Sequence, residues 1–542
     1  MIDILIQNGK VVDGTGNPWF TGEIAIERDR IAAVVPTTSE NDRFSPDLAR
    51  EVIDAEGLVV CPGFVDIMSH SVLPLMHDGR SLSKVTQGIT TEIMGEGWTP
   101  APFGGRTAEL DTLEPRIALM NEWQALARSW TRFGDWLEAI VSRGTSVNVG
   151  SFLGGATLRA YSKGTDGGAP SADELNVMRQ VMQDSMEDGA FGLASALIYP
   201  PECYTTTTEL IEVCKVVAAY GGVYISHIRS EGDRILEAIE EILEIGHSAK
   251  LPVQIYHFKV MGQQNWHLLP KSLEKIRNAR ANGQDVTADM YPYSGSGAGL
   301  MWGLPPWLAE EGDWLAQLDD PLLRDRIRED LLHPSPDWEA LITTTGIDNV
   351  RPVGFRRPEN QAYAGQTLAE ISQSRQQDWR DTLIDLLLSE RQEIMAFWFD
   401  MDEDNLAQQI YEPWMMVSTD AGGIAVDLDD QAQIEHPRAF GAFPKVLGHY
   451  VRERKLLTLE DAVRKMTSFP AKRLGLTDRG VLQAGYFADV VMFDLDTIQD
   501  RATFTQPHQL STGIHQVWVN GECVVASGQH TGALPGRFVK RN

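Results

Sequence analysis

Four polar side chains follow short apolar or small-residue runs in the middle of the chain at nearly equal intervals. The runs GAFGLAS, GGVYISH, LPVQIYH and DVTAD end at Ser195, His227, His257 and Asp289. Their residue numbers advance by about 30 at each step, which is the length of one βαβ unit. The spacing therefore predicts that these residues lie at the carboxyl ends of successive parallel strands.

Two histidines on adjacent repeats indicate a divalent-metal site. A lone histidine at a strand end is more often a hydrogen-bonded core residue, but the pair His227 and His257 favours a ligand role, with zinc as the metal that best suits nitrogen and oxygen ligands. Glu96 ends the run ITTEIMGE and adds a carboxylate, and His70 ends GFVDIMSH. Asp420 follows the apolar run WMMVST, where a buried carboxylate needs a polar partner.

The elements that must position these residues form a (β/α)8 barrel of the α/β class. Helical stretches such as SEGDRILEAIEEILEIGHSAK fill the intervals, and the carboxyl ends of barrel strands form the catalytic face of that fold. Residues 1–62 and 476–542 instead alternate apolar and polar positions around Asn-Gly and other Gly-containing turns. We therefore expect a barrel over residues 63–475 and a β-sandwich built from both ends of the chain.

The interval between Asp289 and Asp420 is longer than the remaining barrel units require. We expect the surplus, about residues 298–390, to be an insertion near the barrel mouth. It contains Trp302, Trp307 and Trp314. These aromatic side chains either line the mouth or pack the core of the insertion itself.

Composition excludes several classes of function. The chain has 542 residues, 43% of them apolar, so it can bury a large core, and its net charge of -29 argues against nucleic acid and anionic membrane surfaces as partners. Four cysteines without a CxxC pair argue against a disulfide scaffold or a thiolate zinc cluster. The N-terminus lacks a basic, apolar leader, and no run is long enough to cross a bilayer. We expect a soluble, cytoplasmic protein that acts on a small molecule.

Many ordered segments of the chain match one known family. They are DGTGNPW, PGFVDIMSHS, KVTQGITTEIMGEG, GAFGLASALIYPP, YISHIRSEGD, IYHFKVMGQQNW, ADMYPY, STDAGG, HPRAFGAFPKVLG and HTGALPGR. Through them the chain resembles, over nearly its whole length, the D-aminoacylase group (N-acyl-D-amino-acid deacylases) of the amidohydrolase superfamily. The resemblance implies a zinc-dependent amidase on a (β/α)8 barrel beside a β-sandwich, in agreement with the residue pattern.

The resemblance also implies roles for particular residues. The two strand-end metal ligands of the family fall on His227 and His257, and its essential aspartate falls on Asp420. The substrate contacts of the family match Lys259, Tyr291 and Arg438. The resemblance further implies association into a homo-oligomer, since superfamily members often associate.

Two departures from the family pattern concern the metal. Met68 stands where the superfamily has the first histidine of a His-x-His motif, so His70 is the remaining ligand candidate there and Met68 is expected to fill space. Where the family often has a cysteine in a GNCG turn, this chain reads GEGW, and Glu96 is the expected replacement ligand. We therefore expect one zinc ion, or another divalent metal, held by Glu96, His227 and His257.

The predicted reaction is hydrolysis of the amide bond of an N-acylated amino acid or a related small N-acyl compound. Asp420 is expected to act as general base and then as general acid. Three alternatives stay open: an amidase for a different small aromatic amide, a metal-poor relative that binds ligands without turnover, and an isomerase or lyase on the same barrel. Retention of His227, His257 and Asp420 argues against the second, and no dedicated proton-shuttle pair supports the third.

Overall fold

The computed structural model describes residues 1–39, 43–109, 125–310, 314–335, 338–391, 394–427 and 435–541. Its first strands are β1 Ile2–Val11, β2 Phe20–Glu27, β3 Arg30–Pro36, β4 Ala49–Asp54 and β5 Val59–Pro62. β1 pairs antiparallel with β2 and parallel with β4 and β5, and β2 pairs antiparallel with β3. Alternate apolar residues such as Ile24 and Ile26 share one buried core, as the two-residue period of a strand requires.

The Asn8–Gly9 pair does not form the turn that the sequence predicts. β1 continues through it, and the register with β2 shifts between Ile6 and Gly9. Asn8 has a φ of 61°, in the left-handed region that asparagine tolerates. The pair therefore forms a β-bulge inside one strand. A Cβ at position 9 would lie 2.7 Å from Cγ2 of Val60, so a larger residue there would have to displace that side chain.

Parallel strands form the central barrel. They are β6 Phe64–Asp66, β7 Ile89–Met94, β8 Asn148–Ser151, β9 Leu153–Gly154, β10 Gly192–Ala196, β11 Val223–His227, β12 Val253–Ile255 and β13 Val286–Met290. Each pairs in parallel with the next, except that β8 and β9 lie on either side of Phe152 and together occupy one strand position. All of these strands are buried, which explains their short continuous apolar runs.

A smaller unit follows β13. Its strands are β14 Ser296–Gly299, β15 Val350–Val353 and β16 Met395–Trp398, which form an antiparallel sheet in the order β14-β16-β15. The unit has its own apolar core, which includes Leu300, Ile342 and Leu383. The predicted insertion, about residues 298–390, falls inside this unit, and the proposed division of the chain into domains stays a prediction.

The last barrel strand closes the ring. β17 Met415–Val417 pairs in parallel with β13. Beyond its end, a parallel bridge joins Ser69 to Ala421, and Asp420 N donates to Met68 O at 3.0 Å. The ring therefore has eight parallel strand positions, which is the (β/α)8 barrel that the sequence predicts.

Helices cover the outside of the barrel and fill the inserted unit. The α-helices of the described ranges are α1 Val72–His77, α2 Leu82–Val85, α3 Asp135–Arg143, α4 Gly155–Ser162, α5 Ala172–Asp188, α6 Thr207–Ala219, α7 Ile235–Ala249, α8 Leu269–Ala281, α9 Trp314–Gln317, α10 Pro321–Leu332, α11 Leu341–Thr345, α12 Leu368–Arg375, α13 Trp379–Glu390, α14 Glu403–Tyr411, α15 Arg438–Lys445, α16 Leu459–Met466 and α17 Ser468–Leu474. α7 is typical, since it buries Ile235, Ile239 and Ile242 while Glu237, Glu240 and Glu244 are exposed. Among these helices, none is both long and apolar enough to cross a bilayer.

The C-terminal strands complete the first sheet. They are β18 Val490–Phe493, β19 Ile514–Val519, β20 Glu522–Ala526 and β21 Gln529–His530. β18 pairs antiparallel with β5, so both ends of the chain belong to one nine-stranded sheet. Ile6 and Val60 from one end share an apolar core with Val490 and Trp518 from the other.

Candidate metal centre

Five of the predicted site residues lie at the carboxyl end of the barrel. They follow different strands: His70 follows β6, Glu96 follows β7, His227 ends β11, His257 follows β12 and Asp420 follows β17. The backbone turns sharply at two of them, because His257 and Asp420 have φ values of 30° and 50°. Left-handed backbone at non-glycine residues is uncommon and is concentrated at functional sites.

A glycine-flanked turn presents Glu96 to the barrel end. Gly95 and Gly97 have φ values of 128° and 64°, which residues with a Cβ rarely adopt. A Cβ at Gly95 would also lie 2.6 Å from the carbonyl oxygen of Phe152. The GEGW segment therefore makes a tight turn against the neighbouring strand, with the Glu96 side chain at its tip.

Glu96, His227 and His257, called the Glu96 cluster below, have the spacing of zinc ligands. Glu96 Oε1 lies 3.1 Å from His227 Nδ1 and 3.3 Å from His257 Nε2. Ligand atoms bound about 2.0–2.1 Å from a tetrahedral zinc ion are about 3.3 Å apart, so these separations fit that ion. All three side chains are largely buried, and their donor atoms are the nitrogen and oxygen types that zinc accepts.

A second group lies next to the Glu96 cluster. His70 Nε2 is 2.9 Å from Asp420 Oδ1 and 3.3 Å from Glu96 Oε2, so Glu96 presents one oxygen to each group. His70 is the more open of the three histidines, with 35% of its side chain exposed. Met68 is buried in an apolar cluster with Ile93, where it fills space.

The two carboxylates of the site are charged despite their burial. Burial alone would raise the pKa of Glu96, but hydrogen bonds from the three surrounding histidines hold it well below its ordinary value. Burial likewise opposes ionisation of Asp420, whereas the charges of Arg438 and His257 and the hydrogen bond with His70 lower its pKa to about 2. Both carboxylates therefore carry their negative charge, which is the form in which a carboxylate binds a metal ion.

Arg438 and Tyr291 lie beside Asp420. Arg438 Nη1 is 2.6 Å from Asp420 Oδ2, and its guanidinium lies 4.5 Å from the centre of the Tyr291 ring. The Tyr291 hydroxyl is buried and has no hydrogen-bond partner among the described residues. A buried hydroxyl normally has a partner, so this group is available to a ligand.

Glu231 is a site residue that the sequence analysis misses. It lies in the loop after β11, and Lys259 Nζ donates to its Oε1 at 2.7 Å. Lys259 Nζ also lies 2.8 Å from His257 Nδ1 and 3.2 Å from His257 O. The donors of Lys259 are thus directed to protein groups, and its contact with substrate stays a prediction. The short spacing between His227 and Glu231 is the sequence feature that indicates Glu231 as a site residue, although an acid before a helix is usually solvated.

One tryptophan of the inserted unit lies at the barrel mouth and another packs within the unit itself. Trp302 lies 4.6 Å from Tyr199, whose ring is 5.4 Å from that of His227, so these aromatic side chains form a wall beside the Glu96 cluster. Trp307 instead donates to Asp330 Oδ2 at 2.6 Å within the insertion. The side chain of Trp314 lies outside the described residues.

A fully buried polar network centred on Lys84 joins the first and last barrel strands. Lys84 Nζ donates to Asp66 Oδ2 at 2.7 Å, to Thr419 Oγ1 at 2.6 Å and to Ala421 O at 2.7 Å. Asp66 ends β6, and Thr419 and Ala421 flank Asp420. Lys84 therefore ties together the two loops that carry His70 and Asp420.

Lys84→Met is expected to destabilise the fold by about 3–5 kcal/mol, because it leaves the buried Asp66 carboxylate without its cation. The free energy of unfolding in urea measures the change. Lys215→Met is the control, since Lys215 pairs with Glu212 on the surface, and it should cost less than about 1 kcal/mol. Equal effects of the two substitutions would contradict the role of Lys84.

Fold and site together define an amidohydrolase-type hydrolase: an eight-stranded barrel, a sheet built from both chain ends, and a cluster of histidines and carboxylates at the strand ends. Residues 421–525 match the amidohydrolase family. The chain is 33% identical to the D-aminoacylase of Alcaligenes xylosoxydans xylosoxydans, over 99% of this chain and 98% of that protein. It belongs to the D-aminoacylase family of amidohydrolases, hydrolases that act on amide bonds.

Solved structures agree with this assignment. This chain matches a structure of D-aminoacylase with a TM-score of 0.80 and 32% identity over 100% of both chains. That structure concerns the functional role of the binuclear metal centre in D-aminoacylase. N-acyl-D-glutamate deacylase from Bordetella bronchiseptica, complexed with zinc and a phosphonate mimic of the tetrahedral intermediate, matches with a TM-score of 0.79 and 31% identity over 99% of both chains. The predicted family and barrel fold are confirmed, and the described residues include two groups that could hold a metal.

Proposed function

We propose that the protein is a zinc-dependent deacylase that hydrolyses the amide bond of an N-acylated D-amino acid. The observation that carries this proposal is the Glu96 cluster, whose separations of 3.1 and 3.3 Å suit one zinc ion, with the Asp420 carboxylate alongside. The zinc complex of the related N-acyl-D-glutamate deacylase supports the choice of metal and of substrate class. Bound zinc supplies a Lewis acid that polarises the acyl oxygen and lowers the pKa of water to about 7.

Asp420 is the proton carrier of the reaction. It accepts a proton from the attacking water and returns it to the amide nitrogen as the carbon–nitrogen bond breaks. His70 Nε2, 2.9 Å from Asp420 Oδ1, orients that carboxylate toward the cluster. The unpartnered hydroxyl of Tyr291 is available to donate a hydrogen bond to the acyl oxygen as negative charge develops on it.

Arg438 is the residue that binds the carboxylate of the substrate. It is 7% exposed and always charged, and its planar guanidinium can donate to two carboxylate oxygens at once. In the free protein it pairs with Asp420 at 2.6 Å, so a second carboxylate can share the same cation. Lys259 is the second cation near this position, 6.0 Å from the Tyr291 ring that Arg438 also faces.

Arg438→Lys is expected to lower kcat/KM for an N-acyl amino acid by about 10- to 100-fold, because a lysine cannot form the bidentate contact. Steady-state kinetics on the same substrate with its carboxylate converted to an amide provide the control. The kcat/KM for that neutral compound should fall much less from wild type to variant. Equal losses on both compounds would assign Arg438 to the orientation of Asp420 alone.

The Tyr199 and Trp302 wall favours a bulky apolar or aromatic group on the substrate. These rings lie 4.6 Å apart beside His227, so a planar group can pack against them. The same wall favours the second candidate substrate, a small aromatic amide without an amino-acid carboxylate. We also propose a cytoplasmic location, since all four cysteines are free thiols.

Rates on paired N-acyl D- and L-amino acids, measured with zinc content on the same preparation, test the proposed function. The expected result is about one zinc per chain and turnover of the D-compound with little or none of the L-compound. Turnover of an aromatic amide alone would support the second candidate. A chain that holds no metal and hydrolyses neither class would be a relative that binds ligands without turnover.

A further inference from the structure

The two histidines of the Glu96 cluster turn their other ring nitrogens to one carboxylate, that of Glu231. Glu231 Oε1 lies 3.0 Å from His257 Nδ1, and Oε2 lies 3.4 Å from His227 Nε2. The opposite nitrogens, His257 Nε2 and His227 Nδ1, face Glu96 Oε1. Each imidazole is therefore held between two carboxylates, and both sides offer a metal ion nitrogen and oxygen ligands.

The position of Lys259 determines on which side of the two imidazoles, the Glu96 side or the Glu231 side, a metal ion can bind. Its ammonium lies 2.7 Å from Glu231 Oε1 and 2.8 Å from His257 Nδ1, and the side chain is only 5% exposed. A buried positive charge at that distance repels a divalent cation strongly. The Glu231 side is therefore closed to metal, and His257 Nε2 and His227 Nδ1 are the nitrogens left for it.

We propose that Glu231 is a positioning residue that fixes the tautomer and orientation of both metal-binding histidines, an inference that rests on the proposed zinc function. A neutral imidazole that binds metal through one nitrogen carries its proton on the other, and that proton needs an acceptor. Lys259 has two oxygen acceptors, Glu231 Oε1 and His257 O, so it does not need His257 Nδ1 as an acceptor, and the Nδ1 proton can be donated to Glu231 Oε1 at 3.0 Å. His227 Nε2 is buried without an aligned hydrogen bond among the described residues, and Glu231 Oε2 is the acceptor that faces it.

Zinc affinity of the metal-free protein, measured by competition with a chromophoric chelator, tests this role. Glu231→Gln leaves one acceptor oxygen and puts an amide donor against the other imidazole, so zinc should bind about 10- to 100-fold more weakly. Glu202→Gln is the matched control. Glu202 is as buried as Glu231, at 2% exposure, but its carboxylate accepts from Ala196 N at 2.9 Å. That variant should bind zinc like the wild type.

The outcomes separate this inference from the proposed function. Wild-type zinc affinity in Glu231→Gln, or an equal loss in Glu202→Gln, overturns the role of Glu231. A wild-type chain that binds no zinc overturns the proposed function instead. If thermal unfolding shows that Glu231→Gln does not fold, Glu231→Asp replaces it. That variant keeps a negative charge for Lys259 but is too short to reach both imidazoles, so weakened zinc binding supports the inference and unchanged binding overturns it.

Discussion

Asp420→Asn is expected to lower kcat by about 10²- to 10⁴-fold while the protein keeps its zinc. The substitution keeps the shape of the side chain but removes the carboxylate that is proposed to accept the proton. Asparagine also tolerates the left-handed backbone at this position, where φ is 50°. Steady-state kinetics and zinc analysis of the same preparation measure both quantities.

Two comparisons make that result specific. Asp427→Asn removes a carboxylate seven residues further along that pairs with Arg80 and is 54% exposed, and it should leave kcat unchanged. Loss of zinc from Asp420→Asn would instead show that Asp420 is needed to hold the metal, as a ligand together with His70 and Glu96. An unchanged kcat would remove Asp420 from the mechanism.

Spacing along the chain predicts which residues lie at the ends of the barrel strands, because a barrel repeats one geometry. The interval of one βαβ unit predicts strand ends at His227 and His257; His227 ends β11, and His257 lies just beyond the end of β12. The carboxyl ends of parallel strands meet at one face, so residues far apart in sequence come together there. The sequence also predicts the role of Glu96, which stands where the family often has a cysteine. Two glycines flank it, and their backbone conformations allow the tight turn that presents its side chain.

Periodicity does not predict the direction of side chains in loops. Glu231 lies four residues after His227, and its sequence context, SEGD before a helix, is typical of solvated acids. It is buried because Lys259, from the loop after the next strand, supplies a counter-charge. The two residues come from different repeats, so neither position alone indicates the pair.

Contacts between remote segments are the other part that the sequence does not predict. Lys84 lies in a short polar stretch, SLSKVTQG, and would be expected at the surface. Its partners Thr419 and Ala421 belong to the opposite end of the barrel sequence, and they become neighbours only when the ring closes. The contact of Trp302 with Tyr199 likewise depends on how the inserted unit packs against the barrel.

His257→Ala is expected to remove both zinc and activity. The Glu96 cluster offers three side chains that could hold zinc, and loss of one would leave too few protein ligands for the proposed site. Turnover should then fall by about 10³-fold or more, since the metal contributes several kcal/mol of transition-state stabilisation. Metal analysis after dialysis, together with kinetics, measures the two losses.

A companion variant separates loss of the ligand from backbone strain. His257 has a φ of 30°, where alanine is less favourable than histidine or asparagine. His257→Asn keeps that conformation but removes the imidazole, so it should lose zinc as fully as His257→Ala while its thermal unfolding stays closer to that of the metal-free wild type. His247→Ala, in an exposed histidine of α7, should keep both zinc and activity. Zinc retained by His257→Asn would mean that the ion is held by His70, Glu96 and Asp420, and the proton transfer assigned to Asp420 would then fall to another residue.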